Sequence, residues 1–264
     1  MLRSFLKIFL GVVLGVPLFM WLFQERMIFL QRPLESRPAP RPDLEEIEIA
    51  EAEGVTLRGW LVKGAGSPAP LVIYFGGNAE EVSWLAQTAE KFAGWSLLLV
   101  NYRGYGESGG KPSERALLAD AIVVHDYATR RSDVDPGRIV AMGRSLGTGV
   151  AVHLAAERAL RGVILVSPYD SLVAVGSAHY PFLPVSLMLR HRFDSLARAR
   201  GIEAPLLCLV AEGDRIVPVA HSRVLFEAWR GRKIWRDIPR ADHDTIAGEP
   251  GYWNAITDFL KALR

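Results

Sequence analysis

Cysteine is nearly absent from this chain of 264 residues, in which Cys208 is the single example. One cysteine excludes an intramolecular disulfide and a metal site made of several thiolates. Because Cys208 lies inside the apolar run 206–210, we expect it to be a small buried side chain. The chain also lacks a strong excess of one charge, since its formal net charge is +2 at pH 7. No long basic run stands beside aromatic residues, so the sequence does not indicate nucleic-acid binding.

A phosphate-binding loop is missing as well. The glycine-rich stretch 101–110 has no Gly-Lys-Ser/Thr ending. Its G-x-G-x-x-G spacing at 104–109 leads into Lys111 and Pro112 rather than directly into a helix. The sequence therefore does not favour dinucleotide binding.

The N-terminus is uncharged and apolar over residues 8–23, with Arg3 and Lys7 before this run. A helix of that length spans about 24 Å, slightly less than the hydrocarbon core of a bilayer. Arg3 and Lys7 can lengthen the span by snorkelling to the interface. We therefore expect an uncleaved membrane anchor over 1–24, with the side of the membrane left open. The alternatives are a cleaved signal peptide, although no small-residue cleavage site follows, and a buried core helix.

Residues 25–45 contain four prolines and predict an extended linker, which a globular domain over 46–264 follows. Two antiparallel strands are predicted first, and strand-length apolar runs then alternate with helical patterns. These runs are 71–75, 97–100, 139–142, 163–166 and 206–210. Continuous apolar strands are typical of an α/β fold, with a mostly parallel twisted sheet and helices on both faces. The alternation breaks over 168–204, where we predict a small lid, with ordinary helix packing as the alternative.

The most informative stretch is Gly143-Arg144-Ser145-Leu146-Gly147, which lies between a strand pattern and a helical pattern. A G-x-S-x-G motif in that setting is a nucleophile elbow, which exposes a strained serine at the end of a strand. Glycine is needed on both sides because a Cβ there would collide with the backbone passing close by. The alternative is a glycine-rich turn with an incidental serine.

A serine hydroxyl needs a base to accept its proton, and the base needs a carboxylate to orient it. Elbow folds supply these groups in the chain order Ser, Asp, His. Asp214 and His243 each follow a predicted strand, so they reach the same sheet edge as Ser145. We predict Ser145 as nucleophile, His243 as base and Asp214 as acid, with Asp170 as the alternative acid. This chemistry implies no metal and no cofactor.

The oxyanion of such a reaction needs two backbone N–H donors. One is the N–H of Leu146, directly after the serine. The other should come from the loop Gly76-Gly77-Asn78, which follows an early central strand. We predict the N–H of Asn78, with that of Gly77 as the alternative.

Taken together, these motifs resemble the ABHD13/ABHD17-like (Bem46-like) group of α/β-hydrolases. The matching stretches are 25–33, 74–79, 101–108, 143–147, 167–169, 179–184, 213–214 and 242–244, so the resemblance covers nearly the whole chain. It implies the α/β-hydrolase fold and a membrane-tethered serine hydrolase, with Ser145, Asp214 and His243 in the catalytic roles. Two departures are Gly76, where the family usually has His, and Asp242, where it usually has Gly.

The leading hypothesis is a membrane-anchored serine hydrolase that cleaves carboxylic esters, including lipid or acyl esters. Some members of the family remove acyl groups from protein thioesters, but the N-terminal cysteine cluster of those members is absent here. The alternatives are an acyl-protein thioesterase or a peptidase with the same triad, and a non-catalytic hydrolase-fold scaffold. The sequence leaves the natural substrate and the oligomeric state open.

Overall fold

The computed structural model describes residues 2–50 and 54–263, with the backbone alone at 2–10 and 12–14. Helix α1 runs over Leu2–Ile28 and contains Pro17, so it continues past the predicted end of the anchor. The side chains of Arg3 and Lys7, which the sequence predicts to snorkel, lie outside the described part of the chain. A search of the described residues finds no helix with the length and apolarity needed to cross a bilayer.

One sheet organises the rest of the chain. Within the described residues its strands are β1 Leu44–Ala50, β2 Thr56–Val62, β3 Ala69–Phe75, β4 Ser96–Val100, β5 Val134–Arg144, β6 Gly162–Val166, β7 Leu206–Ala211 and β8 Lys233–Ile238. Their order across the sheet is β1-β2-β4-β3-β5-β6-β7-β8. The contacts of β1 with β2 and of β2 with β4 are antiparallel, and all the others are parallel. The predicted mostly parallel sheet, with an antiparallel pair first, is confirmed.

Helices cover both faces of the sheet. The longer ones after α1 are α2 Glu114–Thr129, α3 Leu146–Glu157, α7 Val219–Ala228 and α8 Pro250–Ala262. Side chains such as Ile73 and Leu165 point to the face that holds α2, α3 and α7. Their neighbours Val72 and Ile164 point to the face that holds α8. Because both faces are buried, the central strands are apolar throughout rather than alternating. Cys208 on β7 is buried as expected.

The helical pattern after the run 71–75 predicts a helix from about Ala79 to Phe92. The structure has a 3-10 helix there that starts only at Val82 and ends at Phe92. Ala79 has a φ of 57°, a left-handed conformation that no right-handed helix can contain. The helix begins after Glu81, whose carboxylate accepts the N–H of Ser83 at 3.1 Å. The prediction was therefore wrong about the start and the type of this helix, because the loop before it is held in another conformation.

The segment between β6 and β7 forms three short helices, α4 Leu172–His179, α5 Val185–Met188 and α6 Ser195–Ala199. The C-terminal half of α1 packs against this segment. The Gln24 amide donates to the carbonyl of Met188 at 3.2 Å and accepts the N–H of Arg190 at 2.8 Å. Between α1 and this segment lies an apolar cavity of about 430 Å³.

Candidate active site

Ser145 lies in the sharp turn between β5 and α3. Its backbone has φ 49° and ψ −118°, a strained conformation for a residue with a side chain. A Cβ on Gly143 would lie 2.3 Å from the carbonyl oxygen of Gly147, and a Cβ on Gly147 would lie 2.1 Å from that of Phe75. Neither approach is possible for a real Cβ, so the close passage that the motif predicts is present.

Ser145, His243 and Asp214 meet at the carboxyl edge of the sheet, as the sequence predicts. The imidazole Nε2 of His243, in the loop after β8, lies 2.9 Å from the Oγ of Ser145. Its Nδ1 lies 2.8 Å from Oδ2 of Asp214, in the loop after β7. All three side chains converge even though 98 positions separate the serine from the histidine.

The Asp214 carboxylate is held from both sides. Its Oδ1 accepts the N–H groups of Ile216 at 3.0 Å and Val217 at 2.8 Å, while Oδ2 faces His243. Burial raises the pKa of this carboxyl, but the hydrogen bonds from His243 and from the Val217 N–H outweigh it and hold the pKa below its usual range. Asp214 is therefore an anion, and the His243 nitrogen that faces it must carry a proton.

Asp170, the alternative acid, is engaged elsewhere. Its Oδ1 lies 3.0 Å from Nδ1 of His221 and accepts the N–H of Ser171 at 2.7 Å. The structure thus contains, in addition to the pair in the proposed triad, a second Asp–His pair between residues far apart in the chain. No hydrogen bond in the described chain joins Asp170 to His243.

The N–H groups proposed for the oxyanion differ in availability. Gly77 donates its N–H to Oε2 of Glu80 at 2.6 Å, so this alternative donor is already used. The N–H groups of Asn78 and Leu146 have no acceptor among the described residues. That of Leu146 belongs to the first turn of α3, where helical N–H groups lack a partner within the helix.

The side-chain oxygen of Asn78 holds its loop in place through three hydrogen bonds. Its Oδ1 accepts the N–H of Leu30 at 2.8 Å, that of Ala79 at 2.9 Å and the hydroxyl of Tyr105 at 3.1 Å. The first of these bonds ties the loop to the residues just after α1. Sequence reasoning chose Asn78 for its backbone and missed this role of its side chain.

Sequence reasoning also missed a largely buried ion pair that includes Arg144, the residue before Ser145. Glu80 and Arg144 lie 3.1 Å apart, and Arg144 also donates to the backbone carbonyl of His243 at 2.9 Å. Burial lowers the pKa of Arg144, but the Glu80 carboxylate raises it and the net shift is upward. The signal in the sequence was Arg144, a charged residue within the elbow motif that follows the apolar run 139–142.

Asp242, where the family usually has Gly, lies on the surface beside the histidine. Its Oδ1 accepts the N–H groups of Asp244 at 3.0 Å and Thr245 at 2.9 Å, which closes a tight turn. It therefore shapes the loop of His243 from outside. No group of three or more His, Cys, Asp or Glu residues suited to a metal ion is found in the described part of the chain.

Comparison with known proteins gives matches along most of the chain. The family described as Serine aminopeptidase, S33, matches residues 66–179. The uncharacterised protein Rv2307c of Mycobacterium tuberculosis is 36% identical, over 88% of this chain and 85% of its own. The uncharacterised membrane protein YNL320W of Saccharomyces cerevisiae is 31% identical, over 82% and 79%. Protein bem46 of Schizosaccharomyces pombe is 29% identical, over 95% and 90%.

Solved structures match the fold. The Pyrococcus furiosus esterase Pf2001 superposes with a TM-score of 0.68 at 20% identity, over 88% of this chain and 97% of that one. Together with the strand order and the turn at Ser145, this likeness shows the fold, which is that of the α/β-hydrolase class. Within that class, the chain belongs to the Bem46-like family, as the sequence predicts.

Proposed function

We propose that this α/β-hydrolase is a serine hydrolase that cleaves carboxylic esters through an acyl-enzyme. The observation that carries the proposal is the unbroken hydrogen-bonded series from Asp214 through His243 to Ser145, with distances of 2.8 and 2.9 Å. Because anionic Asp214 accepts the Nδ1 proton, Nε2 of His243 is left as the acceptor for the serine proton.

The reaction then has two halves. Ser145 Oγ attacks the ester carbonyl as its proton passes to His243, and the oxyanion forms between the N–H groups of Asn78 and Leu146. The imidazolium returns its proton to the leaving alcohol, which gives the acyl-serine. Water then attacks the acyl-serine, with His243 again as the base, and releases the acid. Each oxyanion donor contributes about 3 kcal/mol to the stability of the transition state.

The cavity between α1 and the 168–204 segment supports an apolar acyl group on the substrate. Its lining is almost entirely apolar and includes Ile28, Leu172, Val175, Leu183 and Met188. It also includes Ile216, whose backbone N–H binds the Asp214 carboxylate. Helix α1, which forms one wall of the cavity, is followed by Leu30, whose N–H binds Asn78 in the loop of the proposed oxyanion donor.

Covalent labelling tests the proposal. A fluorophosphonate probe should label the wild type and fail to label Ser145→Ala, which should also lose hydrolysis of p-nitrophenyl esters. The matched control is Ser132→Ala, an exposed serine far from the elbow in the chain, which should label as the wild type does. Equal ester hydrolysis by wild type and Ser145→Ala would refute the proposal. An unlabelled wild type would favour the non-catalytic scaffold.

A chain-length series tests the acyl cavity. Val175→Phe narrows the cavity, so the preferred p-nitrophenyl ester should become shorter. Each methylene that is kept out costs about 0.8 kcal/mol, or about fourfold in relative kcat/KM. Val224→Phe, on an exposed part of α7, is the control and should keep the wild-type profile. An unchanged profile in Val175→Phe would show that the acyl group binds elsewhere.

A peptidase is the second candidate, and the family description Serine aminopeptidase, S33, favours it. The same triad also serves thioesters. An ester, a thioester and an aminoacyl amide with one common acyl group separate these activities. We expect the ester to give the highest kcat/KM, and a faster amide would replace the proposal with a peptidase.

Membrane attachment is part of the proposal. Its support is the uncharged run 8–23 and the description of the relative YNL320W as a membrane protein. The full chain should sediment with membranes and stay there after an alkaline carbonate wash. Release of the chain by that wash would refute an anchor over 1–24.

A further inference from the structure

The ion pair of Glu80 and Arg144 is largely buried and contacts the backbone of the proposed catalytic base. The two side chains are 8% and 17% exposed, with 3.1 Å between Oε2 and Nη1. Removing two charges from water costs free energy that their attraction alone often fails to offset. A contribution to stability is therefore a weak explanation for this pair. The hydrogen bonds that each charged group makes to a nearby loop give a better explanation.

Glu80 holds the loop that precedes the predicted oxyanion donor. Its Oε2 accepts the N–H of Gly77 at 2.6 Å, which orients the chain leading into Asn78. Its Oε1 accepts the hydroxyl of Tyr74 at 2.7 Å and the indole N–H of Trp84 at 3.0 Å. The carboxylate is thus fixed by donors on the strand before the loop and on the helix after it.

Arg144 holds the loop of the proposed base. Its Nη2 donates to the backbone carbonyl of His243 at 2.9 Å and lies 3.4 Å from the carboxylate of Asp244. Its own backbone is joined directly to Ser145. The guanidinium of Arg144 therefore binds the loop of His243, while the backbone of Arg144 leads directly into Ser145.

Gly77 allows the pair to close over the loop. A Cβ there would lie 3.1 Å from both Nη1 of Arg144 and Oε2 of Glu80. Contacts this short require the neighbouring atoms to shift by a few tenths of an ångström. A glycine at this position therefore suits the close approach of the ion pair to the loop.

We propose that Glu80 and Arg144 form a positioning unit that sets the oxyanion loop and the His243 loop at the correct separation from Ser145. Neither residue touches the reacting atoms. The inference rests on the proposed serine-hydrolase function. A misplacement of about 1 Å at a catalytic group lowers rates about a hundredfold, so the pair acts on kcat.

Three variants separate positioning from folding. Arg144→Met removes the guanidinium contacts to Glu80, His243 and Asp244. Arg144→Lys keeps the charge, and Glu80→Gln keeps an acceptor for Gly77 in nearly the same shape. We expect Arg144→Met to lower kcat about 10- to 100-fold with KM within about twofold. Arg144→Lys should recover part of that loss. The double variant of Arg144→Met and Glu80→Gln should lose less kcat than the product of the two single fold-losses, because the two residues act as a unit.

Amide hydrogen exchange measures the positioning of the two loops independently of catalytic activity. In Arg144→Met, the amides of 76–80 and of 242–245 should both lose protection, while the core strands keep theirs. The control is Arg158→Met, which breaks a surface pair with Asp126 at 2.9 Å and should leave both loops and kcat unchanged.

The outcomes distinguish the two proposals. Unchanged protection of either loop in both Arg144→Met and Glu80→Gln would overturn the positioning unit, whatever the activity. A wild type that neither reacts with fluorophosphonate nor cleaves esters would refute the hydrolase, while the exchange data would still decide whether the pair links the loops.

Discussion

Replacing Asp214 with Asn exchanges one carboxylate oxygen for an NH₂ group. This change should reverse the direction of the hydrogen bond between residue 214 and His243. Oδ1 of Asp214 accepts two backbone N–H groups, from Ile216 and Val217, and only an oxygen can do this. The Asn amide must therefore keep its oxygen there and turn its NH₂ group toward His243. The imidazole then accepts at Nδ1 and carries its proton at Nε2, where it can no longer take the proton of Ser145.

The expected loss is large. In serine proteases the matching change of triad Asp to Asn lowers kcat about 10⁴-fold, or about 5 kcal/mol. We expect a similar loss here, because the tautomer is fixed by the same kind of hydrogen bond. Folding should be kept, since the new side chain has the same shape and satisfies the same backbone donors.

The second Asp–His pair provides the matched control. Asp170→Asn makes the same change at a carboxylate 3.0 Å from His221, outside the proposed triad. Steady-state hydrolysis of a p-nitrophenyl ester should fall about 10⁴-fold in Asp214→Asn and less than about threefold in Asp170→Asn. Activity of Asp214→Asn within tenfold of the wild type, or a greater loss in Asp170→Asn, would refute the assignment of the acid.

Three further changes test the site and its supports. Gly147→Ala places a Cβ 2.1 Å from a β3 carbonyl and should lower the free energy of unfolding by about 3 kcal/mol in thermal unfolding, whereas Gly201→Ala has 3.7 Å of room and should cost far less. Tyr105→Phe removes a donor to Asn78 and should lower kcat several-fold with an unchanged melting temperature, and an unchanged kcat would contradict the role given to that loop. Because the folded pKa of Asp214 lies below its unfolded value of about 3.9, the ionised group stabilises the fold above that pH. This contribution should disappear as pH falls through the folded pKa, so urea unfolding should show a stability gap between wild type and Asp214→Asn that shrinks below about pH 4.

Local constraints made much of the site predictable. The glycines at 143 and 147 follow from steric conflict within a few residues, and the triad follows from chain order at one sheet edge. Chain order favoured Asp214 as the acid but left Asp170 as an alternative, because both follow neighbouring strands and reach the same edge. Distances to His243 separate them, while the catalytic roles themselves stay predictions.

Long-range polar contacts could not be predicted. Glu80 and Arg144 are 64 positions apart, and Leu30 and Asn78 are 48 apart. Neither stretch of sequence indicates the partner of its residue, and only the fold brings the two residues of each pair together. The start of the 3-10 helix at Val82 was missed for the same reason, since the preceding loop is set by these contacts.

The hydrogen bond between the Leu30 N–H and Asn78 joins the segment just after α1 to the loop of the proposed oxyanion donor. Shortened forms made for convenience would lose that bond together with one wall of the apolar cavity. Substrate preferences measured on such forms would describe a different, more open binding site. Purification with the N-terminal helix retained is therefore the appropriate starting point for finding what this hydrolase cleaves.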